Sequence, residues 1–232
     1  MKIANKNIEL QDDESIYSLG SFSLIHGKTG QQLTSDTVSL AKFIPFLQQN
    51  SRVIELGTGI GAIVLMLAER FRDLNITGIE IDNPTFQISK KNLKINDLQD
   101  RVALLNCDWR SLYGKFPRGS FDCLIANPPY KKQGTGRLSP DSSRALARSE
   151  VAGTLEELLK ISAYLIGSTG RLYFIFPLER LVELFEEFAK NKISPGRLVI
   201  LDGLNEKKSL FLIEAGAGCS LSVEVEKPSL RP

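Results

Sequence analysis

Apolar runs of strand length alternate with longer stretches of helical period along most of the chain, and this alternation constrains the fold more than any single motif. Strands are expected near 52–56, 75–81, 101–106, 121–126, 171–176, 197–202 and 209–215, and helices near 35–48, 60–71, 84–95, 150–166 and 178–191. Parallel neighbours need crossover connections, and crossover helices cover both faces of the sheet. The expected fold is therefore α/β, a mainly parallel sheet between two helical layers. The last two strands are separated by only about six residues, too few for a helical crossover, so they should pair as an antiparallel hairpin. Asn83 before Pro84 reads as a helix cap with proline at the first helical position, and Gly167 and Gly170 read as a helix stop and turn. Pro45 implies a kink or an early end in the first helix. With 232 residues and 42% apolar content, one sizeable core can be buried, so a single domain over 1–232 is expected, with 1–34 as an N-terminal extension.

What the chain lacks narrows its chemistry. It has no apolar run of roughly eighteen residues and no basic-then-apolar leader, so a soluble, cytoplasmic protein without membrane contact is expected. The three cysteines, Cys107, Cys123 and Cys219, form neither an even set nor a C-x-x-C pair and read as reduced thiols. One histidine, His26, is too little for a His-based zinc site or triad. No metal is expected, no obligate protein partner is evident, and the chemistry must run without imidazole.

The first chemical signal is VIELGTGIGA, residues 53–62, where the first parallel strand meets its helix. Gly57, Gly59 and Gly61 let the backbone turn sharply and approach a ligand, with free helix N–H groups behind them. Gly57, Gly59 and Ala62 also satisfy the looser pattern G-x-G-x-x-G/A, which keeps a nicotinamide cofactor as a rival. ITGIEID then puts Glu80 at the end of the second strand, where a carboxylate can accept both hydroxyls of a ribose, with Asp82 as its competitor. The third strand ends in NCDWR, where Asp108 suits an adenine amine and Trp109 its ring. Thr58 in the loop and Ile81 beside Glu80 belong to the same candidate cofactor set. Three strand ends furnished in this way point to an adenosine-bearing cofactor.

Glu55, two residues before the first glycine, separates the cofactors. A negative charge there would face the pyrophosphate of a dinucleotide but would suit the ammonium of a methionyl group. The sulfonium of S-adenosylmethionine likewise favours carboxylates and aromatic faces. S-adenosylmethionine is the expected cofactor, and a structural role in accepting loop amides is the alternative reading of Glu55.

Residues 121–130, FDCLIANPPY, end a buried strand in Asn127, Pro128, Pro129 and Tyr130. Proline has no N–H and restrains the residue before it, so the strand ends in a stiff, extended elbow. The exocyclic amine of adenine, or the amide of glutamine, has a delocalised lone pair and is a poor nucleophile. If the Asn127 side-chain oxygen and the Pro128 carbonyl accept its N–H bonds, the nitrogen is drawn towards tetrahedral geometry and its lone pair is aimed at a methyl group. Tyr130 would stack on the planar group. A simple strand terminator is the plainer reading of the same residues.

With these residues in place, the chain resembles the class I S-adenosylmethionine-dependent methyltransferases, and among them the amino-methylating branch that carries N-P-P-Y. The resemblance runs from about residue 20 to about 216 and implies a Rossmann-like, seven-stranded sheet whose last strand is antiparallel. More narrowly, GQQLTSDTVSLAKFIP and NPPYKKQGTGRLSPDSSRALARSE are similar to the valine-tRNA adenine-N6 methyltransferases, which methylate the adenine adjoining the anticodon. By that resemblance Asp36 and Gln32 lie over the methionyl end of the cofactor, and Asn127 borders it.

The net charge of +2 decides little, but between 131 and 148 the chain carries Lys131, Lys132, Arg137, Arg144 and Arg148 against one acid, Asp141. This run directly follows the elbow, so phosphates gripped there would bring a base to Tyr130; a solvated loop is the plainer reading. Lys90, Lys91 and Lys94 read as an exposed helix face. The expected function is transfer of methyl to an adenine amine in tRNA. An rRNA or DNA adenine and a protein glutamine are the alternatives within the same chemistry. An NAD-dependent oxidoreductase has no Tyr-x-x-x-Lys here and no use for the elbow, and a non-catalytic RNA-binding module has no use for an intact Asn127–Tyr130 motif.

Overall fold

A parallel strand buried on both faces cannot alternate apolar with polar residues, and most of the strands that build this chain do not. The computed structural model describes residues 8–19, 21–27, 33–45, 47–128, 153–201 and 209–226. The chain divides into two compact units, Met1–Asp108 and Trp109–Pro232. All seven expected strands form, with boundaries within three residues of expectation.

In the first unit, β3 (Arg52–Leu56), β4 (Asn75–Glu80) and β5 (Val102–Asn106) run parallel in that order. Val53 lies opposite Ile76, and Ile76 opposite Val102. Helix α1 (Ser35–Phe43) is capped by Thr34, which accepts from the Thr37 amide, and it ends two residues before Pro45, the earlier of the two outcomes expected for it. Helix α2 (Ala62–Arg70) buries six of its nine residues. Helix α3 (Asn83–Ile95) corrects one expectation. Its cap is Asp82, not Asn83, because the helix begins at Asn83, and the Asp82 carboxylate one residue earlier accepts from the Thr85 amide (3.0 Å) and hydroxyl (2.5 Å).

Ahead of these elements stands an antiparallel hairpin, β1 (Glu14–Leu19) with β2 (Phe22–Gly27), that the periodicity did not announce. It is fastened to α3 by two asparagines one helical turn apart. Asn92 accepts from the Ile25 amide (2.6 Å) and donates to the Ile25 carbonyl (2.9 Å), while Asn96 accepts from the Ser23 amide (2.9 Å) and donates to its carbonyl (2.7 Å). Four residues of helix rise about 6 Å, nearly the rise of two strand residues, so the helix offers β2 a ladder of amides in register. Lys91 adds an ion pair to the buried Glu14 at 2.7 Å. Asn92 is fully buried and also donates to the Ile60 carbonyl (2.8 Å), tying the hairpin to the glycine loop. Asn92→Ala strands three buried backbone groups and should cost roughly 2–3 kcal/mol of stability, read as a lowered denaturation midpoint with an unchanged m-value.

In the second unit, β6 (Cys123–Ala126), β7 (Arg171–Pro177), β8 (Ser194–Leu201), β9 (Leu210–Gly216) and β10 (Ser222–Glu226) pair in the order β10-β8-β9-β7-β6. β6 and β7 are parallel, and β9 is antiparallel to both β7 and β8, as the short connection required. β10 is a further edge strand parallel to β8. Helix α4 (Leu155–Ile166) opens with a capping box between Thr154 and Glu157 and stops at Gly167; helix α5 (Leu181–Lys190) follows a 3₁₀ turn over Leu178–Arg180. Phe174, Phe176, Phe188 and Phe211 are the largest fully buried side chains, each worth on the order of 2–3 kcal/mol of transfer free energy. Among the described residues no helix is long and apolar enough to cross a membrane.

Candidate active site

In the first unit the loop between β3 and α2 is held open by three glycines in the left-handed region, Gly57 (φ 75°), Gly59 (φ 58°) and Gly61 (φ 83°). Side chains rarely adopt that conformation, which is the physical reason for the glycines. The Gly57 and Thr58 amides both donate to the Ile79 carbonyl (2.9 and 2.8 Å), so the start of the loop is pinned to β4. Beside Gly57 there is open space, since a Cβ placed there would meet nothing within 4 Å. Gly61 caps α2 without a side-chain hydrogen bond.

The carboxylate of Glu80 sits under this loop. Its two oxygens accept from the Gly59 amide and the Asp82 amide, each at 2.8 Å, and the residue is 5% exposed. Burial raises its pKa, with the two amides working against the shift. The two acids have different partners: Asp82 caps α3, and Glu80 faces the glycine loop. Asn106 donates to the carbonyls of Glu80 (2.8 Å) and Ile81 (3.2 Å) and so fixes the end of β4. Ile81 itself is 38% exposed.

Glu55 lies fully inside, 2% exposed, where its Oε2 accepts from the Thr58 hydroxyl at 2.7 Å. Burial pushes its pKa up to about 8; the Thr58 hydrogen bond opposes this, Glu80's like charge adds to it, and the Val64 amide opposes it. The hydroxyl of Ser35 donates to Asp36, in the first turn of α1, at 3.2 Å, and Asp36 is buried. Asp108 is half-buried just beyond β5.

In the second unit Trp109 is 8% exposed and opens a 3₁₀ turn over Trp109–Gly114. Its ring lies against Gly153 (φ 70°), where a Cβ would come within 2.7 Å of the indole, so the chain can re-enter beside the ring only as glycine. Asn127 and Pro128 are half-buried and follow directly on β6, whose four residues are all buried. Gln32, Pro129, Tyr130, Lys131, Lys132, Arg137, Arg144 and Arg148 lie outside the described residues.

Two residues that position the site escaped the sequence reading. Asn92 and Asn106 act through backbone carbonyls at Ile60 and at Glu80 and Ile81. A polar residue on the apolar side of α3, next to Leu93, was the one available signal for Asn92.

A parallel sheet with helical cover, a positive-φ glycine loop after one strand, an acid at the end of the next and an antiparallel β9 between β7 and β8 are together the features of the class I methyltransferase fold. The chain belongs to the methyltransferase small domain family, whose model matches residues 31–146. It is 32% identical over 162 residues to the tRNA1(Val) (adenine(37)-N6)-methyltransferase of Porphyromonas gingivalis, covering 69% of this chain and 63% of that one. The enzyme of the same name from Bacteroides thetaiotaomicron is 30% identical over 164 residues, covering 70% and 67%. The matches to two Porphyromonas gingivalis relatives span 63% and 61% of those proteins' own length, just under two thirds. Among solved structures, M. jannaschii TYW2 in complex with AdoMet superposes with a TM-score of 0.61 at 13% identity over 91% of this chain and 90% of that one. Geranyl diphosphate C-methyltransferase from Streptomyces coelicolor A3(2) gives 0.57 at 12% identity over 78% of each chain. These two likenesses concern the fold.

Proposed function

We propose that this chain transfers a methyl group from S-adenosylmethionine to the exocyclic N6 of an adenine in tRNA, the adenine next to the anticodon of a valine tRNA. The observation that carries the reading is the buried acid pair at the glycine loop. Glu55 and Glu80 are 2% and 5% exposed, and space lies open beside Gly57. Glu80 suits a ribose, and an ionised Glu55 suits a cofactor that brings a cation and would oppose the pyrophosphate of a dinucleotide. The relatives named above support the substrate.

The residues take separate roles. Glu80 has lone pairs left on both oxygens after accepting the Gly59 and Asp82 amides, and these would accept the ribose hydroxyls. Glu55, Asp36 and Gln32 would hold the methionyl end, with Thr58, Gly57, Gly59 and Gly61 shaping the cradle. Ile81, Asp108 and Trp109 would border the adenine. When bound, the cofactor supplies an electrophilic methyl on a sulfonium. Asn127 and the Pro128 carbonyl would accept both N–H bonds of the target amine and aim its lone pair. The methyl–sulfur bond would break as the methyl–nitrogen bond formed, and the proton lost from the nitrogen would pass to solvent water. By the resemblance, Pro129 would stiffen the elbow, Tyr130 would stack on the base, and Lys131, Lys132, Arg137, Arg144 and Arg148 would grip the phosphates.

Glu80→Ala should weaken S-adenosylmethionine binding by about 2 kcal/mol, on the order of thirtyfold, because charge-assisted hydrogen bonds to the ribose are lost. Titration calorimetry checks this, and NAD should give no heat of binding in the parent protein. The substrate is tested by incubating the protein with methyl-labelled cofactor and unmodified tRNA, duplex DNA or a release-factor protein. Label is expected in N6-methyladenosine from tRNA; label in DNA or protein alone would overturn the assignment.

A further inference from the structure

Residues 109–121, in the turn that follows β5, carry Arg110, Lys115 and Arg118 and no acid within, with one acid at each end, Asp108 and Asp122. The turn is rigid, because three of its backbone groups meet at one residue of α4. The Tyr164 hydroxyl lies within hydrogen-bond distance of the Tyr113 carbonyl (3.2 Å) and the Phe116 carbonyl (3.1 Å), and the Gly119 amide donates to the Tyr164 carbonyl (3.0 Å). Phe116 meets Phe121 edge-on at 5.0 Å, and Leu112 is fully buried beneath. On this frame the Tyr113 ring is 47% exposed although it packs on the Tyr164 ring at 4.9 Å, and Lys115 and Arg118 are exposed. The acids of the adjoining helix start are engaged elsewhere, Glu157 in the Thr154 cap and Glu156 with Lys160 at 2.6 Å.

A half-exposed aromatic ring packed on one side by a second ring, in a turn that carries exposed cations, suits a nucleobase and its phosphates: stacking tolerates any base, and a ring already packed costs less ordering on binding. Another exposed aromatic pair among the described residues lacks this charge setting. Tyr17 packs on His26 at 4.4 Å, but Glu9, Asp12 and Asp13 precede it and would repel phosphate. Building on the tRNA reading above, we propose that the 109–121 turn is a second RNA-contact surface, in which Tyr113 stacks on an unpaired base and Lys115 and Arg118 hold neighbouring phosphates. This surface supplies positioning and grip, and no group in it touches the reacting atoms.

The test measures direct tRNA binding by fluorescence anisotropy across a salt series, alongside methylation kinetics. Variants are Lys115→Ala/Arg118→Ala, Tyr113→Ala, Tyr113→Phe and, as an equal change of charge elsewhere, Lys90→Ala/Lys94→Ala. The Lys115/Arg118 variant should bind roughly tenfold more weakly with a log–log salt slope shallower by about two. Its KM for tRNA should rise in proportion, with kcat and cofactor affinity unchanged. Tyr113→Ala should weaken binding roughly tenfold without changing the slope, and Tyr113→Phe should bind like the parent. The Lys90/Lys94 variant should stay near the parent. Parent-like slope and KM in the Lys115/Arg118 variant, or equal losses in the Lys90/Lys94 variant, would overturn the proposal. If the parent binds tRNA and the turn variants weaken it while no methyl reaches the RNA, the surface stands and the substrate reading falls. Absence of any RNA binding would remove both.

Discussion

Replacing Asn127 by alanine should lower turnover by on the order of a hundredfold or more while leaving cofactor affinity nearly unchanged. The asparagine stands at the end of β6, whose four residues are each no more than 1% exposed, and Pro128 follows it. An acceptor on so rigid a base needs no reorganisation when the target nitrogen changes geometry, so its contribution appears mainly in the transition state. Loss of such a group lowers kcat and kcat/KM together. Asn127→Asp keeps acceptor oxygens at this place and should retain more activity than the alanine variant. Single-turnover methyl transfer at saturating RNA, with cofactor binding followed by calorimetry, separates chemistry from binding. Full turnover in Asn127→Ala would show that the elbow only ends a strand.

The second large effect is a pH dependence of stability set by Glu55. Burial raises its pKa from the ordinary 4.5 to about 8. Between those values the folded protein keeps a proton that the unfolded chain has released. Stability of the cofactor-free protein should therefore fall as pH rises through this window and level off above it. The slope from this one group is about 1.4 kcal/mol per pH step, on the order of 5 kcal/mol in all. Glu55→Gln keeps an acceptor for the Thr58 hydroxyl but has no proton to lose, so its profile should lack this fall and the variant should exceed the parent in stability near pH 9. Cofactor affinity should move the other way. A cationic group against Glu55 requires the ionised form, so binding to the parent should strengthen as pH approaches 8 and release a proton below it. Glu55→Gln should bind weakly at every pH. Denaturant melts from pH 5 to 9, with calorimetry in buffers of different ionisation enthalpy, read both effects; parallel profiles for parent and variant would remove the assignment.

The sequence alone determined the strands from β3 to β9, because burial on both faces leaves unbroken apolar runs and a connection of a few residues forces an antiparallel pair. It also determined the glycine loop, since only residues without a side chain take those positive φ values readily, and the elbow after Ala126, since proline cannot continue a ladder. Tertiary structure decided the rest. Glu80 and Asp82 are two residues apart and chemically alike, and what separates them is which amide each carboxylate meets: Gly59 across the loop for Glu80, Thr85 in the next helix for Asp82. Asn92 became a support of the site only when folding brought it to Ile25, 67 residues away in the chain. β1, β2 and β10 were illegible because their register comes from partners and not from a pattern of their own; β10 is exposed from Ser222 to Val225. The charge state of Glu55 belongs to the fold as well, because a carboxyl group's affinity for its proton depends on how much water the surrounding chain leaves around it.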